Sequence, residues 1–166
     1  MEMSEFRPEL LLRRGEWTAL ALALAASAGM LLLRQAWFIP LWAWIFWAFL
    51  LFSGASITLG NWMDRQTLLQ LDSKGIHFTN GLRRAELDWS EIQKVTVLPA
   101  RFGQTVQVIG ERSHFEFKTI GEVRFQGELR GRTGFADGHH ILEVILREAK
   151  MHLVEKAQEA YYYVRG

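Results

Sequence analysis

Three groups of residues in this chain have the types that chemistry needs. His140 and Glu143 stand three apart at the start of a helical stretch, the spacing of a metal half-site, with His139 alongside. A site also needs a second half. The other histidines, His77, His114 and His152, are scattered, and there is no cysteine to supply thiolates or disulfides. Arg124, Arg130 and Arg132 bracket a glycine-rich stretch, GELRGRTGFADG, ahead of the same helix, where an anion would meet free N–H groups. Its glycines lack both the G-x-G-x-x-G and the G-x-x-x-x-G-K-[ST] spacing of nucleotide loops. Ser113-His114 and Asp137-His139 are neighbours in sequence only, and nothing places a nucleophile against a base. The residues therefore point away from an enzyme, with no catalytic, cofactor-binding or metal site.

The elements that dominate the chain are apolar. Residues 17–33 (WTALALALAASAGMLLL) and 38–59 (FIPLWAWIFWAFLLFSGASITL) contain no charge and are separated by a few residues including Arg34. A spanning helix needs about 20 such residues, so the region 17–62 reads as a transmembrane hairpin. It also reads as an uncleaved signal-anchor, because a second span follows the first directly. The first span is rich in alanine (Ala19, Ala21, Ala23, Ala25, Ala26, Ala28) with Gly29, small residues that let helices approach closely. The second begins near Pro40, whose missing N–H costs nothing in a first turn. It carries Trp42, Trp44, Phe46, Trp47, Phe49 and Phe52 around its circumference. Trp42, Trp44 and Trp47 cannot all face the first helix, so at least one ring meets lipid or another protein. No ionisable group lies within either run, which argues against a transporter, and no histidine is there to hold a cofactor.

Trp17, Trp37 and Trp62 fall at the span ends, where indoles anchor to headgroups. Arg13 and Arg14 precede the hairpin and Arg65 follows it, completing the membrane-interface set, whereas the connection carries only Arg34. The positive-inside rule puts both termini in the cytoplasm and the short loop outside. Residues 1–16 form a cytoplasmic segment in which Leu10, Leu11 and Leu12 are available to lie along the membrane surface. A net charge of +1 offers no field for nucleic acid.

From residue 66 the pattern changes to short strands: TLLQL, IHFT, RRAELDW, SEIQKVTVLP, TVQVIG, HFEFKT and EVRFQ. Asn80-Gly81 between two of them is a hairpin signal, because a type I′ turn needs positive φ at both central residues. Alternation puts Ala85, Leu87, Trp89, Val106, Val108, Phe115, Phe117, Val123 and Phe125 inward. One helix is expected over about 138–160, capped by Asp137, with Ile141, Leu142, Ile145, Leu146, Ala149 and Leu153 on one stripe. The fold class is thus α+β: a two-helix hairpin, then seven strands in a sandwich or barrel closed by a C-terminal helix, over residues 66–160.

The phrase LDSKGIHFTNGLRRAELDWSEIQKVTVLP resembles the bacterial pleckstrin-homology-like membrane proteins, through Asp72, Gly75, Ile76, Gly81 and Trp89-Ser90-Glu91-Ile92. GFADGHHIL is similar to the entry of their closing helix. The resemblance implies a fold and a bacterial plasma (inner) membrane more than an activity. Related domains that bind phosphoinositides use basic residues around the first hairpin, where this chain has only Lys74. The expected function is a non-catalytic, membrane-anchored interaction module, an accessory subunit or assembly factor of a membrane complex. Its partners would be the lipid bilayer and other membrane proteins or a second copy. Trp42, Trp44, Trp47, Arg83, Arg84, Arg124 and Arg130 are the candidate partner-binding residues. The alternative is a sensor of anionic lipid headgroups, each basic residue near such a surface adding about 1 kcal/mol.

Overall fold

The charge-free runs form two helices, α1 (Glu16–Ala36) and α2 (Leu41–Arg65), each long and apolar enough to cross a membrane. Pro40 lies just before α2 and accepts the N–H of Ala43 at 3.0 Å, so it starts the helix without losing an internal bond. The computed structural model describes residues 3–10, 15–36 and 38–166. Arg13, Arg14 and Trp37, three of the expected interface residues, lie outside them, as do Leu11 and Leu12. The chain divides into two compact units, Leu12–Asp64 and the combination of Met1–Leu11 with Arg65–Gly166.

The second unit is antiparallel β with one helix. Its elements are β1 (Ser4–Phe6), β2 (Thr67–Leu71), β3 (Gly75–Asn80), β4 (Arg84–Asp88), β5 (Ile92–Pro99), β6 (Gln104–Gly110), β7 (His114–Lys118), β8 (Gly121–Phe125), β9 (Glu128–Thr133), α3 (Gly138–Glu148), β10 (Met151–Ala157) and β11 (Ala160–Arg165). They form a four-stranded sheet β1-β2-β3-β4, a five-stranded sheet β10-β11-β5-β6-β7, and a separate β8-β9 ribbon. Gly81 takes φ +82° and opens the β3–β4 turn, but the central pair is Gly81-Leu82, closed by the Asn80 N–H donating to the Arg83 carbonyl at 3.0 Å. Asn80 does not take positive φ, so the type I′ turn expected on Asn80-Gly81 does not form. The inward positions expected in β4, β6 and β7 are buried: Ala85 and Leu87, Val106 and Val108, Phe115 and Phe117. With Leu69, Ile76, Ile92 and Val95 they form one core, closed by Ile141, Val144 and Ile145 of α3. Phe78 stacks on Phe115 with ring centroids 5.1 Å apart.

Four further expectations are corrected. The helix expected to reach residue 160 ends at Glu148, and Lys150 takes φ +52°, a left-handed conformation that stops it. Residues 151–165 instead form the β10–β11 hairpin, with β11 pairing to β5, so Leu153 leaves the helical stripe and stands exposed on a strand. Val154, Val164 and the run Tyr161-Tyr162-Tyr163 favour a pleated surface over a helix. The strand count also differs from seven: among the described residues one strand precedes α1 and ten follow α2. The glycine-rich connection contains β9, and Phe125, expected inward, is 59% exposed because β8 leaves the core sheets to pair with β9. Asp137 does occupy the N-cap of α3, but its side chain makes no cap bond; its carbonyl accepts the N–H of Ile141 at 2.9 Å.

The N-terminal residues have a place that their sequence did not show. Ser4, Glu5 and Phe6 pair with Leu71, Gln70 and Leu69, and Phe6 packs against the core. Glu9 and Gly134 exchange both backbone bonds, at 2.8 and 3.1 Å. The β-unit is therefore closed by chain segments from both sides of the helical pair.

Candidate functional site

The helical pair is zipped along one stripe. Asn61 of α2 is fully buried and donates to the Glu16 carboxylate of α1 at 2.7 Å. Gly54 presents its bare Cα to Ala19 and Ala23, where an added Cβ would sit 3.7 Å from the Ala19 carbonyl oxygen and 3.9 Å from the Ala23 Cβ. The Trp47 indole donates to Ser27 Oγ at 3.0 Å, and that hydroxyl donates to the Ala23 carbonyl at 2.7 Å. As α1 positions rise from 16 to 27 their partners fall from 61 to 47, so the helices run antiparallel. Trp17 and Trp62 consequently lie at the same end. The small-residue face expected of α1 is the contact face, and polar bonds fix its register.

This zipping sorts the tryptophans. Trp47 faces α1, and Trp44 meets it edge-on at 5.6 Å between ring centroids. Trp42 is 70% exposed, with Phe46 and Phe49 exposed beside it. The spacing i, i+4, i+7 puts Trp42, Phe46 and Phe49 on one face of α2. Thr58, near Gly54 and Asn61, has a buried hydroxyl without a hydrogen-bond partner.

In the β-unit, several candidate cations are engaged within the protein. Arg83 donates to the His114 carbonyl and joins the β3–β4 turn to β7. Arg124 pairs with Glu122 at 2.7 Å, and Arg130 with Glu128 at 3.6 Å. Arg84 differs. It lines a cavity of about 460 Å³ together with Arg112, His77, Glu86, Asp88 and Glu91. His77 stands between Asp72 at 3.2 Å and Glu86 at 3.8 Å. Asp72 Oδ1 accepts the N–H groups of Gly75 and Lys74, both at 2.7 Å. Those two bonds, with His77 beside them, hold the Asp72 carboxyl below the usual carboxylate range.

Asp72, Gly75 and Trp89, three of the residues behind the family resemblance, meet at this turn. Gly75 has no room for a side chain, since an added Cβ would be 2.1 Å from the Leu87 carbonyl oxygen. The Trp89 indole donates to the Asp72 carbonyl at 3.2 Å, and Ile76 and Ile92 are fully buried. Each of these residues has a structural task here.

The remaining chemical candidates are not assembled. His139, His140 and Glu143 are exposed on α3. Among the described residues no group of three His, Asp or Glu side chains is placed to hold a metal ion. The Ser113 hydroxyl donates to the Glu86 carbonyl at 3.1 Å, not to His114. Arg124, Arg130 and Arg132 lie on the β8–β9 ribbon. Comparison of the chain with protein families, with curated proteins and with solved structures returns no match.

Proposed function

We propose that the protein is a non-catalytic interaction module anchored in a membrane by α1 and α2, acting as an accessory subunit or assembly factor of a membrane protein complex. The observation that carries this reading is the uncovered aromatic stripe Trp42, Phe46 and Phe49 on a helix that meets α1 through other residues, Trp47, Gly54 and Asn61. Lipid needs only apolar bulk; a row of rigid rings suits a shaped protein partner. The pairing of β1 with β2 supports the topology, because strands that hydrogen-bond to each other occupy one side of a membrane. Two crossings return the chain to that side. The arginines around the hairpin favour the cytoplasm of a bacterial cell. Two antiparallel sheets followed by an amphipathic helix support a pleckstrin-homology-like domain, with the β8–β9 and β10–β11 hairpins as additions.

The test is purification of the full chain in mild detergent with Trp42, Phe46 and Phe49 all changed to leucine. Trp47 is left intact because it bonds to Ser27. The variant is expected to insert as the wild type does and to lose the membrane proteins that co-purify with the wild type. Unchanged recovery of those proteins would mean that the stripe faces only lipid, and the reading would fail.

A further inference from the structure

We propose that the β8–β9 ribbon is a membrane-dipping finger whose tip, from Phe125 to Leu129, enters the headgroup layer of the bilayer. The proposal rests on the reading of α1 and α2 as spans. Among the described residues β8 and β9 pair only with each other. Their base is fixed: Gly134 exchanges backbone bonds with Glu9, and the Phe135 N–H reaches the Lys118 carbonyl at 2.8 Å. At the tip, Gln126 and Gly127 take φ +52° and +84°, which makes a tight two-residue turn.

The side chains at this tip suit a fluid interface. Phe125 is 59% exposed and Leu129 51%. Phe125 is opposite Glu128, and Leu129 is opposite Arg124, so the two apolar side chains project from opposite faces of the ribbon. A folded partner covers one face of a two-stranded ribbon. A headgroup layer closes around both. The charges agree. The ribbon carries Arg124, Arg130 and Arg132 against Glu122 and Glu128, a balance of +3 − 2 = +1. Glu128, the acid at the tip, brings its own counter-ion in Arg130, which also lies over the Phe125 ring at 5.8 Å. The surplus positive charge favours anionic headgroups. Gln66 alone separates α2 from β2, so the β-unit is held at the membrane and the finger needs no recruitment from solution.

The chain has no cysteine, so single-cysteine labelling reports one position at a time. The full chain would be reconstituted in phosphatidylcholine–phosphatidylglycerol vesicles containing nitroxide-labelled lipid. A bimane would be attached at Gln126→Cys, at Glu111→Cys on the β6–β7 turn, or at Phe46→Cys in α2. The expected result is several-fold stronger lipid quenching at 126 than at 111, with protection from aqueous iodide. Adding Phe125→Asp should bring position 126 to the level of 111. The proposal is overturned if 126 behaves as 111 while 46 is quenched by lipid, since the spans would then be inserted and the finger not. It is equally overturned if Phe125→Asp changes nothing. Absence of lipid quenching at 46 would remove the spanning reading and the finger with it.

Discussion

In the β-unit, Leu69, Ile76 and Phe115 are inside, and Glu86, Glu116 and Lys118 face outward. In the helical pair the arrangement is inverted. Glu16, Ser27 and Asn61 meet between the helices, while Leu24, Leu31, Trp42 and Phe52 face outward. The same side-chain types thus take opposite positions in one chain. The proposed membrane anchoring accounts for the contrast: water drives apolar surface inward, and hydrocarbon would give it no reason to hide. In such a setting polar groups gain most by pairing with one another, as Trp47–Ser27 and Asn61–Glu16 do, although the Thr58 hydroxyl has no such partner. The exposed apolar surface of α1 and α2 is therefore as informative as the core of the β-unit.

Placing one charge in each region breaks this comparison most directly. Phe115 is 1% exposed, and Phe115→Asp buries an uncompensated carboxylate. Its cost of several kcal/mol is comparable with the whole stability of about 5–15 kcal/mol usual for a domain, so the β-unit should lose its near-ultraviolet circular dichroism in any solvent. Leu24 is 70% exposed on α1, and Leu24→Asp touches no core. The cost there is about 2.5–3.5 kcal/mol and appears only in lipid, as reduced membrane insertion with the β-unit intact. If the two variants behaved alike, the two regions would share one solvent and the contrast would be wrong.

A smaller effect sharpens the account of the β2–β3 turn. Backbone N–H bonds depress the Asp72 pKa in the folded protein below its ordinary value of 3.8. A depressed folded pKa contributes stability that is complete above the unfolded value and is lost as pH falls through the folded one. Acid titration of the full chain in detergent should therefore show a loss of β-structure below about pH 4 that Asp72→Asn reduces. The amide oxygen still accepts both N–H groups, so the variant remains folded at neutral pH. Identical acid transitions would show that the turn does not rest on the carboxylate charge.

What the sequence made legible follows where a local signal and its tertiary outcome agree. The charge-free runs and the alternation through Ala85, Leu87, Phe115 and Phe117 each demand one structure, and that structure forms. Asn80-Gly81 marks the β3–β4 turn, but one residue early, since Gly81 and Leu82 are its central pair. Two hairpins were hidden because their turns use glutamine where asparagine would have signalled: Gln126 and Gln158 both take φ +52°. The helical spacing that begins at Ile141 is real but stops at Ala149, and only the tyrosine run beyond it announces a strand. β1 was illegible for another reason. Three residues carry no period, and their partner β2 lies more than sixty positions along the chain, beyond the whole hairpin. Among the candidate partner residues, exposure at Trp42 and engagement of Trp47 and Arg83 depend on which neighbours the fold supplies, which spacing alone does not state.

The central claim is that α1 and α2 cross a membrane and return the chain to the side from which it started. Cysteine substitutions at Met3, Gln35 and Glu111, probed in intact cells with an impermeant thiol reagent, test it directly. Position 35 is expected to be labelled from outside, and positions 3 and 111 only after permeabilisation. Accessibility of 35 and 111 from the same side, or of 3 and 111 from opposite sides, would contradict it, as would labelling of 3 and 111 from outside with 35 protected.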